Sequence, residues 1–247
     1  MAKTYLITGA TSDVGHALME RLLTKMAPED MILAQGSSDL GRIADLCQAH
    51  PDQIKTFSVD LSDPEAITAF VQAVETLCPT PTHFIHLPAL RAINTKFKKF
   101  DVDRFDLDMN VQIKSAVQLC KAFVPKMAKA KFGRVLFIQT SYTLGCPPKN
   151  MSAYVMAKSA LGGLAKSLAV EYASSGVTVN CVAPSMMETN FLADTPDLIV
   201  QAAAADNPMG RNCRVSDVVP AMDFLLSDEA GFITGVTLPI TGGSTIV

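Results

Sequence analysis

Short apolar segments alternate with longer segments of helical periodicity along the whole chain. Residues 4–8 predict a first strand, and apolar residues then recur at helical spacing at Val14, Leu18 and Leu22. The same pattern repeats towards the C-terminus. Strands are predicted at 4–8, 31–34, 54–59, 83–87, 134–140, 178–183 and 236–240, and helices at 14–26, 39–49, 64–77, 101–130, 151–174 and 215–227.

This alternation predicts an α/β fold, a doubly wound domain in which a parallel seven-stranded sheet carries helices on both faces. Local signals agree with it, because Asp63 and Pro64 predict a helix start and Gly176 predicts a helix stop. No linker or repeat interrupts the pattern, so residues 1–247 are expected to form a single domain.

One long segment, 185–213, lacks clear periodicity and lies between a predicted strand and a predicted helix. It carries Met186, Met187 and Phe191 near its start. Two readings fit it: a mobile lid over an apolar ligand, or a surface loop with one short helix.

Composition narrows the function classes. With 49% hydrophobic residues the chain suits one large core, and a net charge of -3 argues against nucleic acid or anionic lipid as a partner.

The six cysteines are scattered without metal-ligand spacing, which favours reduced thiols and a cytoplasmic location. The four histidines form no ligand pattern and are expected to be structural or exposed. A first strand that begins by residue 4 leaves no room for a signal peptide, and no apolar stretch reaches membrane-spanning length.

Tyr154 and Lys158 are the first candidates for chemistry, because positions four apart share one face of a helix. A fixed cation beside a phenol is expected to lower the pKa of the tyrosine, which then exchanges a proton with a substrate oxygen near neutral pH. Ser141 lies thirteen residues earlier, and its hydroxyl is expected to hold the same oxygen. A solvated surface pair is the alternative for this spacing alone.

The start of the chain supplies a second element. A strand, a glycine turn from Gly9 to Gly15 and a helix follow one another, an order that is typical of phosphate binding at a helix N-terminus. An ordinary tight turn is the alternative. Ligands of parallel sheets bind beyond the carboxyl ends of the strands, where Gly9, Ser141 and Pro184 are all expected to lie.

Taken in order, these segments resemble the short-chain dehydrogenase/reductase family, whose fold is Rossmann-like, over nearly the whole chain. Within that family the chain is most similar to 3-oxoacyl-carrier-protein reductases. The matching residues are Thr8 to Gly15, Asp60-Leu61, Met109-Asn110-Val111, Ser141, Tyr154 with Lys158, Val179 to Pro184, Ile233-Thr234-Gly235, Gly242-Gly243 and, for the subgroup, Asn207 to Arg211 and Leu225 to Ala230.

The resemblance implies roles for single residues. Tyr154 is the implied proton donor, Lys158 lowers its pKa and holds the nicotinamide ribose, Ser141 orients the carbonyl and Asn110 positions a relay water. The cofactor carries the hydride. The implied cofactor-binding residues are Gly9, Thr11, Ser12, Asp13, Val14, Gly15, Ser37, Ser38, Asp60, Leu61, Pro88, Tyr154, Lys158, Pro184 and Thr189.

Three positions depart from the family pattern. Asp13 replaces a glycine, and we expect its carboxylate to turn away from the phosphates and cap the helix that starts at Val14. His86-Leu87-Pro88-Ala89 replaces Asn-Asn-Ala-Gly, which removes one backbone donor at the proline. Ser185 stands where a glycine commonly follows Pro184.

The end of the second strand decides the cofactor. An acid there binds the ribose 2′-hydroxyl of NAD and repels a 2′-phosphate, but no acid appears before Asp39, which is expected to cap the next helix. Ser37 and Ser38 are able to donate to a phosphate, and Arg42 lies one turn further on. The sequence therefore favours NADP(H) over NAD(H).

The leading prediction is an NADP(H)-dependent reductase of a small-molecule or carrier-bound 3-oxoacyl thioester. A dehydrogenase for another alcohol, sugar or sterol and a catalytically silent nucleotide-binding scaffold are the alternatives. A homodimer or homotetramer is implied by the resemblance. The basic cluster Lys126, Lys129 and Lys131 is either a docking site for an acidic carrier or a solvated helix end.

Overall fold

The computed structural model describes residues 2–37 and 39–246 and contains one seven-stranded sheet in which every strand pair is parallel. Its spatial order is β3-β2-β1-β4-β5-β6-β7, with crossovers on either side of β1. This confirms the predicted fold class. The strands are β1 Thr4–Thr8, β2 Met31–Gly36, β3 Ile54–Ser58, β4 His83–His86, β5 Gly133–Ile138, β6 Val177–Pro184 and β7 Thr237–Ile240.

The helices occupy both faces of the sheet. They are α1 Asp13–Leu23, α2 Ala44–Ala49, α3 Pro64–Leu77, α4 Val102–Met109, α5 Ser115–Lys129, α6 Ser152–Tyr172, α7 Asp197–Asp206 and α8 Val215–Leu226. One buried apolar cluster includes Leu18 of α1 and Met222 of α8, and the other includes Phe70 of α3, Phe123 of α5 and Leu161 of α6. The two clusters alternate along each strand, as the period of two requires: Ile7 belongs to the first and Leu6 to the second.

The predicted helix ends are confirmed where capping chemistry specified them. The Asp63 side chain accepts a hydrogen bond from the Glu65 backbone N–H, with Pro64 at the first helical position. Gly176 adopts φ of 78°, a left-handed conformation that ends the 3-10 turn after α6. Asp39 caps a 3-10 turn, Leu40–Ile43, so the predicted helix 39–49 is regular only from Ala44.

The predicted single helix 101–130 is wrong in detail. A π-helical turn, Asn110–Lys114, separates α4 from α5, and the Ser115 backbone N–H donates to the Asn110 carbonyl five residues back. Apolar periodicity continues through such a turn, so the sequence pattern does not reveal it. The 185–213 segment contains one α-helix, α7, and its first residues line a cavity, while its role as a mobile lid stays a prediction.

Two buried histidines tie β4 to the rest of the fold. His83 stacks on Tyr5, and its Nε2 lies 3.1 Å from the Leu226 carbonyl oxygen at the end of α8. His86 lies between Thr8 Oγ1, 2.8 Å from Nδ1, and the Gln112 carbonyl oxygen, 3.0 Å from Nε2. His86 therefore joins β1 to the π-helical turn, and the structural expectation for these two histidines is confirmed.

The described ranges 2–37 and 39–246 contain no helix with the length and hydropathy needed to cross a bilayer. Within the same ranges no group of three or more His, Cys, Asp or Glu side chains is arranged to hold a metal ion.

Acid should destabilise the protein through these rings. Burial lowers the pKa of both His83 and His86 from 6.5 to about 3. As the pH falls, the unfolded chain binds these protons before the folded protein does. The stabilisation that the two neutral histidines give the folded protein is therefore present above pH 6.5 and is lost as the pH falls towards about 3. We expect His86→Asn to reduce the slope of unfolding free energy against pH in this window by up to about 1.4 kcal/mol per pH unit. Urea unfolding at several pH values measures it, and equal slopes in the two proteins would contradict the assignment.

Candidate active site

A cavity of about 460 Å³ opens at the carboxyl edge of the sheet, where the turn after β1, the end of β5, α6 and the 185–213 segment meet. It brings together two groups of residues that are distant in the sequence. The predicted site residues on its wall are Ser12, Asp13, Val14, Tyr154, Lys158, Pro184 and Thr189. The turn after β1 and the pair Tyr154 and Lys158 therefore border one cavity.

The other predicted residues lie elsewhere, and Ser38 falls outside the described residues. Among those described, the cavity wall does not include Gly9, Thr11, Gly15, Ser37, Asp60, Leu61, Pro88, Asn110 or Ser141. Gly9 and Gly15 allow the tight backbone of the turn after β1. A Cβ on Gly15 would lie 2.6 Å from the Ala10 carbonyl oxygen, and Gly9 has φ of 69°. Asp60 accepts hydrogen bonds from the backbone and hydroxyl of Ser62, which fixes the turn before α3.

The N-terminus of α1 forms one end of the cavity. Ser12 is the N-cap, since its Oγ accepts a hydrogen bond from the Gly15 backbone N–H at 3.0 Å. The prediction that Asp13 caps this helix is therefore wrong. Asp13 is the first helical residue, and the cap belongs to the hydroxyl one position earlier because Ser12 has the extended backbone that a cap requires.

The Asp13 carboxylate instead binds two partners from other parts of the chain. It accepts hydrogen bonds from the Asn190 backbone N–H at 2.7 Å and from Asn190 Nδ2 at 2.9 Å, and it forms an ion pair with Arg42 Nη2 at 2.6 Å. Burial raises the pKa of this carboxyl, but the hydrogen bonds from Asn190 and the charge of Arg42 outweigh it, and the pKa is lowered from 3.8. Asp13 is therefore a charged link between α1 and the 185–213 segment.

Lys158 is buried, with 2% of its surface exposed, and is held from both ends. Its Nζ donates to the Ile138 carbonyl oxygen at 3.0 Å, while its own carbonyl accepts from Gln139 Nε2 at 2.9 Å. Gln139 Oε1 in turn accepts from Thr237 Oγ1 of β7. Burial lowers the pKa of the Lys158 ammonium to about 8, against the opposing charge of Asp108.

Tyr154 does not show the expected fall in pKa. Burial raises the pKa of its phenol to about 12, and a hydrogen bond with the Thr140 side chain offsets only part of this rise. Desolvation of the phenolate is the stronger effect here, because the ammonium of Lys158 is directed to the Ile138 carbonyl. Tyr154 is therefore protonated throughout the neutral range.

The hydroxyl beside Tyr154 belongs to Thr140, one residue before the predicted Ser141. Both residues are buried, but Thr140 lines the cavity, whereas Ser141, which begins a 3-10 turn, Ser141–Thr143, does not. The role of Ser141, which the resemblance implies from its position thirteen residues before Tyr154, stays a prediction. A threonine with the same hydroxyl chemistry stands at the end of β5, and this is the signal that was available.

Asn110 opens the π-helical turn and is partly buried. Among the described residues no hydrogen bond joins it to Lys158; the acid whose charge acts on Lys158 is Asp108, which accepts from Gln112 Nε2 at 2.6 Å. The relay that the resemblance implies for Asn110 stays a prediction.

Residues His86 to Ala89, which depart from the family pattern, make two kinds of contact. His86 supports the sheet, as described above, while Leu87 and Ala89 lie on the cavity wall. Pro88 lies close against the turn after β1, where a Cβ on Gly9 would come within 3.0 Å of its nitrogen.

Two aromatic rings that sequence reasoning did not assign surround Tyr154. Phe191 lies with its ring centroid 6.0 Å from that of Tyr154, and Tyr142 meets the same ring edge-on at 6.5 Å. At the mouth, Arg91 Nη1 forms an exposed ion pair with Asp194 at 2.7 Å. The 185–213 segment therefore touches the site at Asn190, Phe191 and Asp194.

These residues fit a nicotinamide dinucleotide. The first-turn N–H groups of Asp13 and Val14 lie at the wall of the cavity, and an α-helix supplies them with no carbonyl partner. The cavity runs from there to Tyr154 and Lys158. The Asp13 carboxylate at the first turn of α1 opposes a pyrophosphate, and its ion pair with Arg42 offsets its charge.

Comparison with known proteins agrees with this geometry. The profile of a family described as "Enoyl-(Acyl carrier protein) reductase" matches residues 13–245. The 3-oxoacyl-(acyl-carrier-protein) reductase FabG of Haemophilus influenzae is 30% identical over 243 residues, which cover 98% of this chain and 97% of the relative. A crystal structure of a 3-oxoacyl (acyl-carrier-protein) reductase from Agrobacterium tumefaciens with NADP bound has a TM-score of 0.86 and 27% identity, covering 98% of this chain and 93% of that chain. The chain belongs to the short-chain dehydrogenase/reductase family of oxidoreductases.

Proposed function

We propose that the protein is an NADP(H)-dependent reductase that converts the carbonyl of a 3-oxoacyl thioester into a secondary alcohol. One observation carries the proposal: the Tyr154 phenol, the Thr140 hydroxyl and the Lys158 ammonium border the same cavity as the first turn of α1. The names of the relatives supply the substrate class.

In this proposal NADPH supplies the hydride, and the side chains supply orientation and the proton. The Thr140 hydroxyl donates a hydrogen bond to the substrate carbonyl oxygen, and this hydrogen bond fixes the position of the substrate. Tyr154, whose pKa lies near 12, holds a proton at neutral pH and gives it to the oxygen as negative charge develops there. Lys158, whose pKa lies near 8, is the group that gains or loses a proton close to neutral pH and returns it to the phenol.

An acyl chain suits the wall opposite Tyr154. The 185–213 segment contributes apolar side chains to the cavity there, namely Met186, Met187, Phe191 and Leu192. Unbranched methionine side chains adapt to chains of different length. A dehydrogenase for another alcohol would use the same proton-transfer residues, and the assay below separates the two.

A carrier protein would have to approach from the cavity mouth. Lys126 and Lys129 stand in the last turn of α5, immediately before β5 begins, and so lie at the sheet edge opposite the cavity. Lys126 is paired with Glu75. This arrangement favours a solvated helix end for that cluster. A homodimer or homotetramer remains part of the proposal, and light scattering of the purified protein tests it.

We expect Tyr154→Phe to lower the turnover of a 3-oxoacyl thioester by about 10²–10⁴-fold, because the proton donor is lost while the ring and its packing remain. Lys158→Ala should lower it at least as much. The measurement is NADPH oxidation with 3-oxoacyl, enoyl, sugar and sterol substrates, with circular dichroism and NADPH affinity as controls for folding. Full turnover by Tyr154→Phe would mean that another residue donates the proton. Turnover of a sugar or sterol instead of the thioester would replace the proposed substrate class.

Thr140 and Ser141 make a matched pair of substitutions. Thr140→Val keeps the shape of the side chain and removes its hydroxyl, so we expect a loss of roughly 10²–10³-fold in kcat, the usual effect of removing one donor to a developing oxyanion. Thr140→Ser should retain most activity, and Ser141→Ala should change it little, because Ser141 does not line the cavity. The reverse result, with Ser141→Ala inactive and Thr140→Val active, would restore the prediction made from sequence spacing.

We expect NADPH to bind more tightly than NADH, since no acid stands between Ala34 and Ser37 and Arg42 lies on the cavity wall. Ser37→Asp should shift the preference towards NADH by placing a negative charge opposite the 2′-phosphate. Fluorescence titration of both cofactors measures this, with Ser37→Asn as the uncharged control. Tighter binding of NADH by the unaltered protein would rule out the cofactor assignment.

A further inference from the structure

The contact between Asp13 and Asn190 joins residues 177 positions apart in the chain. Both carboxylate oxygens take part, because Oδ2 accepts from the Asn190 backbone N–H and Oδ1 accepts from its side-chain amide. Arg42 approaches Oδ1 from the far side. The carboxylate thus has three donors, and its charge is stabilised where the first turn of α1 also favours an anion.

This contact determines where the neighbouring residues lie. Asn190 begins a 3-10 turn, Asn190–Leu192, and Thr189 and Phe191 flank it on the cavity wall. Through that turn the position of Asn190 fixes the Phe191 ring against the Tyr154 ring, at a centroid distance of 6.0 Å. Another ion pair of the segment, Arg91–Asp194, is more exposed than the Asp13–Arg42 pair and is expected to contribute less.

We propose that Asp13 is a positioning residue that holds the 189–192 turn closed, with the Phe191 ring beside that of Tyr154. In this arrangement the hydrogen bonds from Asn190 to the Asp13 carboxylate hold the turn against α1, so closure does not depend on contacts with a ligand. The inference rests on the proposed function only for the role of Tyr154.

The absence of tryptophan from the chain makes this position measurable. Phe191→Trp introduces a single tryptophan on the turn, and quenching of its fluorescence by acrylamide reports how often the turn opens. In this background, Asp13→Ala should lower the ratio of closed to open turn by about tenfold, the usual effect of losing charge-assisted hydrogen bonds. We therefore expect stronger quenching and lower anisotropy. Asp13→Asn keeps one acceptor oxygen and should give an intermediate value.

Asp63→Ala is the matched control, because it also removes a carboxylate at a helix start, at α3, away from the cavity wall. It should leave the quenching unchanged. Asn190→Gly approaches the contact from its other side and should reproduce part of the effect, since the backbone hydrogen bond to Asp13 remains. Equal quenching in the parent, Asp13→Ala and Asn190→Gly proteins would overturn the proposal, and if Asp13→Ala does not fold, Asp13→Asn and Asn190→Gly decide it.

A kinetic measurement separates positioning from general stability. With NADPH saturating, Asp13→Ala should raise the KM for the carbonyl substrate and lower kcat, while the affinity for NADPH does not weaken, because a negative charge near the phosphates has been removed. Weaker NADPH binding together with unchanged KM and kcat would overturn the proposal. If the protein turns over none of the assayed carbonyl compounds, the proposed function fails, and the fluorescence of the ligand-free protein still decides the role of Asp13.

Discussion

A buried ammonium group constrains the whole edge of the sheet at which the cavity opens. Lys158 reaches its position only because its charge meets the Ile138 carbonyl at the end of β5, and an unpaired ammonium at that depth would be strongly unfavourable. Gln139, the next residue, binds the backbone of Lys158 and is bound in turn by Thr237. This arrangement requires Gly162 on α6, since a Cβ there would lie 2.2 Å from Gln139 Nε2. The hydrogen bonds of Lys158 and Gln139 thus join the end of β5 to α6 and β7.

His86 plays a comparable part on the other side of β5. The family pattern has an amide side chain at this place, and a buried imidazole here supplies both a donor and an acceptor between Thr8 and the Gln112 carbonyl. The contact between His86 and the Gln112 carbonyl therefore connects β4 to the π-helical turn. His86 therefore connects β1 to the π-helical turn although it departs from the family pattern.

The sequence predicted the fold because its signals are local and repeated. Alternating apolar strands and amphipathic helices specify a parallel sheet, and the capping residues Asp63 and Gly176 specify helix ends without reference to the rest of the chain. The site was predicted as far as residue spacing determines it, which placed Tyr154, Lys158 and the turn after β1 at one edge. Spacing does not distinguish Ser141 from the adjacent Thr140, because a count from Tyr154 does not reveal which of two neighbouring hydroxyls lines the cavity. The partners of Asp13 come from residues 42 and 190 and depend on tertiary packing, which no local pattern encodes.

Burial acts on the two proton-transfer groups in opposite directions. It raises the pKa of the Tyr154 phenol to about 12 and lowers the pKa of the Lys158 ammonium to about 8, because each group favours its uncharged form away from water. The phenol keeps its proton at neutral pH, while the ammonium is the more readily deprotonated of the two. A phenol in that state holds the proton that the proposed carbonyl reduction requires. The Phe191 ring lies 6.0 Å from the Tyr154 ring, so the turn that carries Phe191 forms part of the surroundings of this phenol.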